Sequence, residues 1–234
     1  MEQTIENTNT TPVTPNNKNK LLSGSFGWMA IGLLISAVTA FMVLISPTIL
    51  DAVYNTQYAF QALLLLQLGA VIFLSARIKA MSIGTARATF IGYSILSGIT
   101  LSVIFFAFEL GSIFGIFIGA AAMFGGLALF GTKTTKDLTS IGRLAMFGLL
   151  GLVIASIVSL FTTSSLLDLI LAWVGVAIFT VLISYDVQKL KKLGESTDGT
   201  TMEPKKIIIL GALNLYLDFI NLFLSLLRIF GKRK

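Results

Sequence analysis

The sequence predicts an all-α protein that crosses a membrane several times. Of its 234 residues, 55% are hydrophobic and only 12% are charged, and the mean hydropathy is +0.89, whereas about a quarter of the residues in a soluble domain are charged. Seven apolar segments approach the roughly 20 residues that a helix needs to cross the hydrocarbon layer. They cover residues 26–46, 58–75, 89–108, 112–130, 144–162, 166–186 and 207–229. We therefore expect a polytopic bundle of seven helices.

The same pattern sets the domain organisation. Residues 1–20 are rich in Thr, Asn and Pro and contain no apolar run, so we predict a disordered N-terminal tail. Residues 21–234 then form a single transmembrane domain. The first apolar segment is long enough to span the membrane, and no small-residue cleavage pattern follows it. We therefore expect it to act as the targeting signal rather than as a cleaved signal peptide.

Composition excludes several kinds of chemistry. The chain has no cysteine and no histidine, which removes disulfides, thiolates and the usual group that titrates near neutral pH. We expect no cofactor, and any pH response must come from carboxylates. The formal net charge of +6 does not indicate a nucleic-acid partner, because the basic residues lie in short loops between apolar segments. Membrane topology and the anionic headgroups of the lipid bilayer account for such residues.

Lysine and arginine occur before the first segment and after the second, fourth and sixth segments, and the intervening loops have none. These basic residues are Lys18, Lys20, Arg77, Lys79, Arg87, Lys133, Lys136, Arg143, Lys189, Lys191, Lys192, Lys205 and Lys206. The alternation predicts a multi-pass protein of the plasma membrane with a cytoplasmic N-terminus. The last segment departs from the rule, because a full crossing places Lys232, Arg233 and Lys234 outside. It either crosses against the charge rule or is re-entrant.

The last segment carries a polar stripe. Asn214, Asp218, Asn221, Ser225 and Arg228 are spaced four, three, four and three residues apart, which stacks them on one helix face. A carboxylate near the centre of a span costs about 2.5–3.5 kcal/mol on insertion scales, so the stripe must be enclosed by other helices or must line a wet cavity. An intramembrane acid is also a candidate functional residue. We therefore predict that Asn214 and Asn221 line an ion pathway centred on Asp218.

A second acid, Asp186, lies near the end of the sixth segment. Gly194 and the lysines before it suit the end of a longer helix, which would place Asp186 inside that helix. If the two aspartates approach each other, they can share one proton, because two close carboxylates in a low dielectric cannot both ionise cheaply. At about 1.5 Å per residue, Asp186 lies about 12 Å from Gly194 and Asp218 about 21 Å from Pro204. Helix tilt must absorb that difference, and Arg77 is the nearest basic candidate by predicted depth.

At these residues the sequence resembles the transmembrane Bax inhibitor motif family. The closing run from Ala212 to Arg228, Ala-Leu-Asn-Leu-Tyr-Leu-Asp-Phe-Ile-Asn-Leu-Phe-Leu-Ser-Leu-Leu-Arg, is similar to the signature of that family's last helix, and Tyr185-Asp186-Val187-Gln188 is similar to the end of its sixth helix. The resemblance implies a seven-helix bundle with the last helix in the centre. It also implies a pH-sensitive calcium leak in which Asp186 and Asp218 sense protons and Arg77 exchanges partners with them.

We therefore expect a calcium leak channel with no enzymatic activity. Ionised Asp186 and Asp218 are also the candidate calcium ligands, because carboxylates bind Ca²⁺ through oxygen. Acidic residues of the lysine-free loops are expected to concentrate cations at the mouth, namely Asp51, Glu109 and Asp168. One alternative is an interaction protein that modulates a membrane protease. An intramembrane aspartyl protease is less favoured, because Leu215-Tyr216-Leu217-Asp218 replaces the Gly-x-Gly-Asp motif of those enzymes.

Overall fold

The structure, a computed structural model, is all-helical in the part of the chain that it describes, which comprises residues 16–51, 58–78, 80–159, 161–162, 164–195 and 203–234. The long helices are joined by short connections, so consecutive helices run in opposite directions. The helices are α1 (Asn16–Leu44), α2 (Pro47–Leu50), α3 (Ala59–Arg77), α4 (Ile83–Leu101), α5 (Ile104–Ala107), α6 (Leu110–Lys133), α7 (Thr139–Ser159), α8 (Ser165–Glu195) and α9 (Pro204–Phe230).

Among the described residues, six helices are long and apolar enough to cross a membrane. They correspond to six of the seven predicted segments. The predicted second segment corresponds to α3, whose apolar stretch Gln61–Arg77 is shorter than the other six. The predicted third segment is interrupted between α4 and α5 at Ser102, whose hydroxyl donates to the carbonyl of Ile99 at 2.7 Å. A serine hydroxyl that bonds a nearby carbonyl competes with the helical pattern, and such bonds often bend a helix.

One helix end differs from the predicted boundary, and another agrees with it. Helix α1 begins at Asn16, so residues 16–20 of the predicted tail are helical, and residues 1–15 lie outside the described residues. Asn19 and Lys20 of this extension are exposed, so the helix is polar where it leaves its apolar part. The extension of the sixth segment past Asp186 is confirmed, because α8 continues to Glu195, one residue beyond Gly194.

Helix α9 is the most enclosed of the spans. Of the residues in its apolar window, 67% are buried, compared with 11–39% in the other five long helices. It packs against α8, α1, α6 and α4. Proline at its first position suits a helix start, because its fixed φ is helical and its missing N–H has no partner there anyway. Tyr216, Leu213, Leu215 and Leu222 of α9 are among the most deeply buried side chains.

The two ends of the bundle can be identified from contacts that cross it. At one end the loop between α6 and α7 contacts the end of α8 through an ion pair between Lys192 and Asp137. At the other end the chain after α9 lies along the connection between α5 and α6, where the Glu109 N–H donates to the Lys232 carbonyl at 2.9 Å. Helix α9 therefore runs from one end of the bundle to the other. The re-entrant alternative for the last segment is wrong.

Candidate functional site

The structure buries both predicted aspartates on neighbouring antiparallel helices. Asp186 of α8 is 9% exposed and Asp218 of α9 is 5% exposed. Gly175 of α8 faces Ser225, and Gly211 of α9 faces Leu190, which sets the register of the two helices.

Counting residues between those two contacts places Asp186 level with residues 214–215. The offset from Asp218 is about one turn, or roughly 5 Å along the helix axis. The register therefore places the two predicted aspartates about one turn apart on adjacent helices.

The immediate surroundings of the two acids differ. The Asp218 oxygen Oδ2 is fully buried and has no hydrogen-bond partner among the residues that the structure describes. A buried carboxyl oxygen without a partner loses the solvation that water gave it, at a cost of about 1–3 kcal/mol. Asp186 lies about one turn before Lys189, close to the lysine-rich end of α8. The pair therefore consists of one acid beside a basic end of the bundle and one acid sealed inside it.

The rest of the polar stripe follows the contact between α8 and α9. Asn214 and Asn221 are half-buried, and the Asn221 side chain donates to the Leu217 carbonyl of its own helix at 2.8 Å. Ser225 is buried where Gly175 leaves room for it. Arg228 is exposed at the far end, where it lines a cavity with Asp168. The stripe is thus enclosed along most of its length and reaches the surface only at its arginine.

The residues that flank Asp186 in the sequence attach α8 to α6, to α7 and to the loop between them. The Ser184 hydroxyl donates to the Leu127 carbonyl of α6 at 3.3 Å. The Tyr185 ring lies against α7 at Gly142, where a Cβ atom would overlap the ring. The Gln188 amide donates to the Lys136 carbonyl at 2.7 Å and accepts from the Leu138 N–H at 2.9 Å. Asp186 therefore sits on a rigid part of the bundle.

Arg77 is not brought to the aspartate pair. It lies in the last turn of α3 and its side chain is exposed. Helix α3 packs chiefly on α4, whereas the aspartates lie on α8 and α9. Partner exchange between Arg77 and the aspartates would require α3 to move.

The predicted acidic mouth is partly neutralised by the C-terminal residues. Glu109 forms an ion pair with Lys232 at 3.0 Å. Asp168 lines a cavity of about 400 Å³ together with Arg228 and Arg233. Asp51 ends the short helix α2. The charge of Glu109 is therefore offset by Lys232, because the chain after α9 lies over this end of the bundle.

A second polar network was not anticipated from the sequence. The Tyr216 hydroxyl of α9 lies 2.7 Å from the Ser36 hydroxyl of α1, which also donates to the Ser94 carbonyl of α4 at 2.7 Å. Gln67 of α3 bonds the hydroxyls of Ser97 and Thr100 on α4, at 3.1 and 2.8 Å. The available signal was the run Tyr93, Ser97 and Thr100, whose spacing of four and three residues places three polar groups on one helix face.

In the part of the chain that the structure describes, the acidic side chains do not cluster into a metal-binding site. Within the described ranges no group of three or more Asp or Glu side chains could hold a metal ion. A stable calcium site uses six to eight oxygen ligands, so two carboxylates alone do not complete one.

Comparison with known proteins places these features in a wider group. A family model described as "Inhibitor of apoptosis-promoting Bax1" matches residues 18–234. An inner membrane protein of Escherichia coli strain K12, YbhL, is 42% identical over 210 residues, which cover 89% of this chain and 90% of the relative. A protein of Borreliella burgdorferi is 42% identical over 93% of this chain and 94% of its own length. A membrane protein of Streptococcus pyogenes serotype M1 is 30% identical over 92% and 93% of the two chains.

Proposed function

The chain is a multi-pass membrane protein that belongs to the Bax inhibitor-1 family, and from that premise we propose that it is a pH-sensitive calcium leak channel of the plasma membrane. The observation that carries the proposal is the buried pair of Asp186 and Asp218, one turn apart on adjacent helices. A leak needs no catalytic residue, so we propose no enzymatic activity and no cofactor. Calcium is the cargo.

The proposed gate is the protonation state of this pair. When the two carboxyl groups share a proton, they attract a divalent cation weakly. When both are ionised, their two negative charges and oxygen atoms favour Ca²⁺, which binds carboxylates only in that form. We therefore expect calcium flux to increase as the pH rises.

Helix α9 has the central role in this proposal. We propose a bundle of seven spans in which α3 is the shortest and the other helices surround α9. The enclosure of α9 by α1, α4, α6 and α8 supports this arrangement. The half-buried Asn214 and Asn221 extend the polar path to either side of Asp218. Arg77 joins the aspartates only after α3 moves, and among the long helices α3 is the least packed against its neighbours, so its movement would break the fewest contacts.

Calcium flux into liposomes of pure lipid tests the proposal. We expect Asp218→Asn to lower calcium entry by about tenfold or more and to remove its pH dependence, since loss of a group that supports a metal site typically costs 10–100-fold. Asp186→Asn should have the same effect. Glu203→Gln is the matched control, because Glu203 is an exposed acid that precedes α9 and its loss should leave the flux unchanged.

Two results would count against the channel. Unchanged flux and pH dependence in Asp218→Asn would remove the aspartate gate. Wild-type protein that conducts no calcium in pure lipid, but co-purifies with a membrane protease from native membranes, would favour the alternative role as a protease modulator.

A further inference from the structure

A pocket at the basic end of the bundle lies outside the proposed ion path. It has a volume of about 250 Å³ and lies between the first turns of α7 and the last turns of α8. This volume equals that of roughly eight water molecules, so the pocket can hold more than a simple ion. It is lined by Thr139, Tyr185, Gln188, Lys189, Lys192 and Leu193.

The charged lining of the pocket suits an anion. Lys189 lies 5.7 Å from the centre of the Tyr185 ring, a cation–π contact that keeps its ammonium group at the pocket wall. Lys192 donates to Asp137 at 2.6 Å. An ammonium group has three protons, so this ion pair leaves Lys192 with donors for a second anion. The two lysines and Asp137 together contribute a net charge of +1.

Apolar side chains near the pocket indicate that the anion belongs to a lipid headgroup. Below the pocket, the face of α7 that carries Thr139 also presents Met146 and Leu150, which are 49% and 61% exposed. Such side chains face lipid in a membrane protein, so the pocket lies where the hydrocarbon layer meets the headgroups. Leu193 and the Tyr185 ring give the pocket an apolar wall on the same side. Basic pockets between transmembrane helices are known to bind anionic lipid headgroups.

We propose that this pocket binds the phosphate of an anionic phospholipid, with Lys189 and Lys192 as its cationic ligands and the acyl chains lying along α7. The Gln188 side chain holds the loop between α6 and α7 in place at the edge of the pocket. Gly142 allows the Tyr185 ring to lie against α7 and to form the floor. The site is therefore built from elements that are already fixed in the fold.

Photo-crosslinking with a phosphatidylglycerol probe tests the site, using full-length protein in phosphatidylcholine vesicles. We expect labelling of the pocket residues, and a loss of affinity of about fivefold for each lysine in Lys189→Gln and Lys192→Gln, because one basic residue near the surface contributes about 1 kcal/mol. Lys133→Gln with Lys205→Gln is the matched control. Both lysines are exposed at the same end of the bundle but lie outside the pocket, so labelling should persist there.

Removing a negative charge beside the pocket should have the opposite effect on lipid binding, which gives a second test. The Lys192 ammonium and the Thr139 groups that hydrogen-bond Asp137 hold the pKa of Asp137 well below its usual range, so this carboxylate is charged and competes for Lys192. Asp137→Asn should therefore strengthen phosphatidylglycerol labelling more than Glu203→Gln, which removes the same charge at the same end.

Three outcomes would overturn the lipid site. Equal losses in the pocket and control lysine variants would mean diffuse attraction of the headgroups to a basic surface. Displacement of the probe by inorganic phosphate at equal concentration would mean a site for a free anion. Labelling confined to other helices would place the lipid elsewhere. The vesicles contain no calcium gradient, so failure of this experiment leaves the calcium proposal untouched.

Discussion

At the scale of single residues, the helical glycines divide into two groups. A Cβ atom on Gly98 would lie 2.6 Å from the Ser36 carbonyl oxygen, which is backbone and cannot rotate away. Gly126 of α6 has no atom within 4 Å of the same position among the described residues, although the spacing of glycines along α6 is typical of helix packing. A glycine pattern in the sequence therefore does not tell which glycines lie at a helix contact.

This difference predicts opposite effects of the same substitution. Gly98→Ala should destabilise the protein by about 1–3 kcal/mol, because overpacking forces α1 and α4 apart. Gly126→Ala should be neutral or stabilise it by about 0.5–1 kcal/mol, because alanine is the better helix former. Thermal unfolding of both variants in detergent checks the pair. A lower melting temperature for Gly126→Ala than for Gly98→Ala would contradict the packing of α1 on α4.

At the scale of elements, the chain after α9 is bound to the connection between α5 and α6. The Lys232 N–H donates to the Ser112 hydroxyl at 2.9 Å, and the Lys234 N–H donates to the Ala107 carbonyl at 3.2 Å. The Glu109 N–H donates to the Lys232 carbonyl. Most of this attachment is made by the backbone, and the ion pair between Lys232 and Glu109 lies on the surface.

Removing residues 232–234 should therefore destabilise the protein more than removing the charge of Lys232 alone. Each of the three lost hydrogen bonds contributes about 0.5–1.5 kcal/mol, so truncation after Gly231 should destabilise the protein by about 1.5–4.5 kcal/mol. Lys232→Gln should change stability by less than about 1 kcal/mol, since exposed ion pairs contribute little. Thermal unfolding and hydrogen exchange of residues 105–112 measure both effects. Equal losses in the two variants would show that the charge, not the backbone, holds this segment.

The helices themselves were predictable because long apolar runs have few alternatives in a membrane. The extension of α8 followed from Gly194 and its lysines, and the resemblance carried by the run from Ala212 to Arg228 is confirmed at the level of the family. The interruption at Ser102 was not predictable, because one serine in an apolar run is common.

The contacts of the site were harder to predict than its residues. Asp186 and Asp218 differ in depth when counted from their own helix ends, and only the register set by Gly175 and Gly211 reduces the offset to one turn. The exposure of Arg77 and the pairing of Glu109 with Lys232 depend on tertiary packing, which charge counting does not describe.

At the scale of the whole molecule, the contacts between loops and helix ends show which loops lie together at each end of the bundle. The loop containing Thr135 lies at the same end as the start of α9, and α1 begins there too, since the Ser25 hydroxyl donates to the Ile208 carbonyl. Thr162 and the C-terminal Arg233 lie at the other end, where Ser165 and Arg233 line one cavity. The excess of lysine and arginine at the first end predicts that it is cytoplasmic.

Cysteine accessibility tests this orientation, because the natural chain has no cysteine and each variant reports one position. We expect Thr162→Cys to react with a membrane-impermeant maleimide on cells whose plasma membrane is intact and accessible. Thr135→Cys, which is equally exposed at the opposite end, should react only after the cells are permeabilised. The two positions must react on opposite sides of the membrane, because six long helices and α3 separate the two ends of the bundle. The charge rule then predicts which end is cytoplasmic. Reaction of Thr135→Cys in intact cells, with Thr162→Cys protected, would mean that the protein is inserted the other way round and that Lys232, Arg233 and Lys234 obey the charge rule after all.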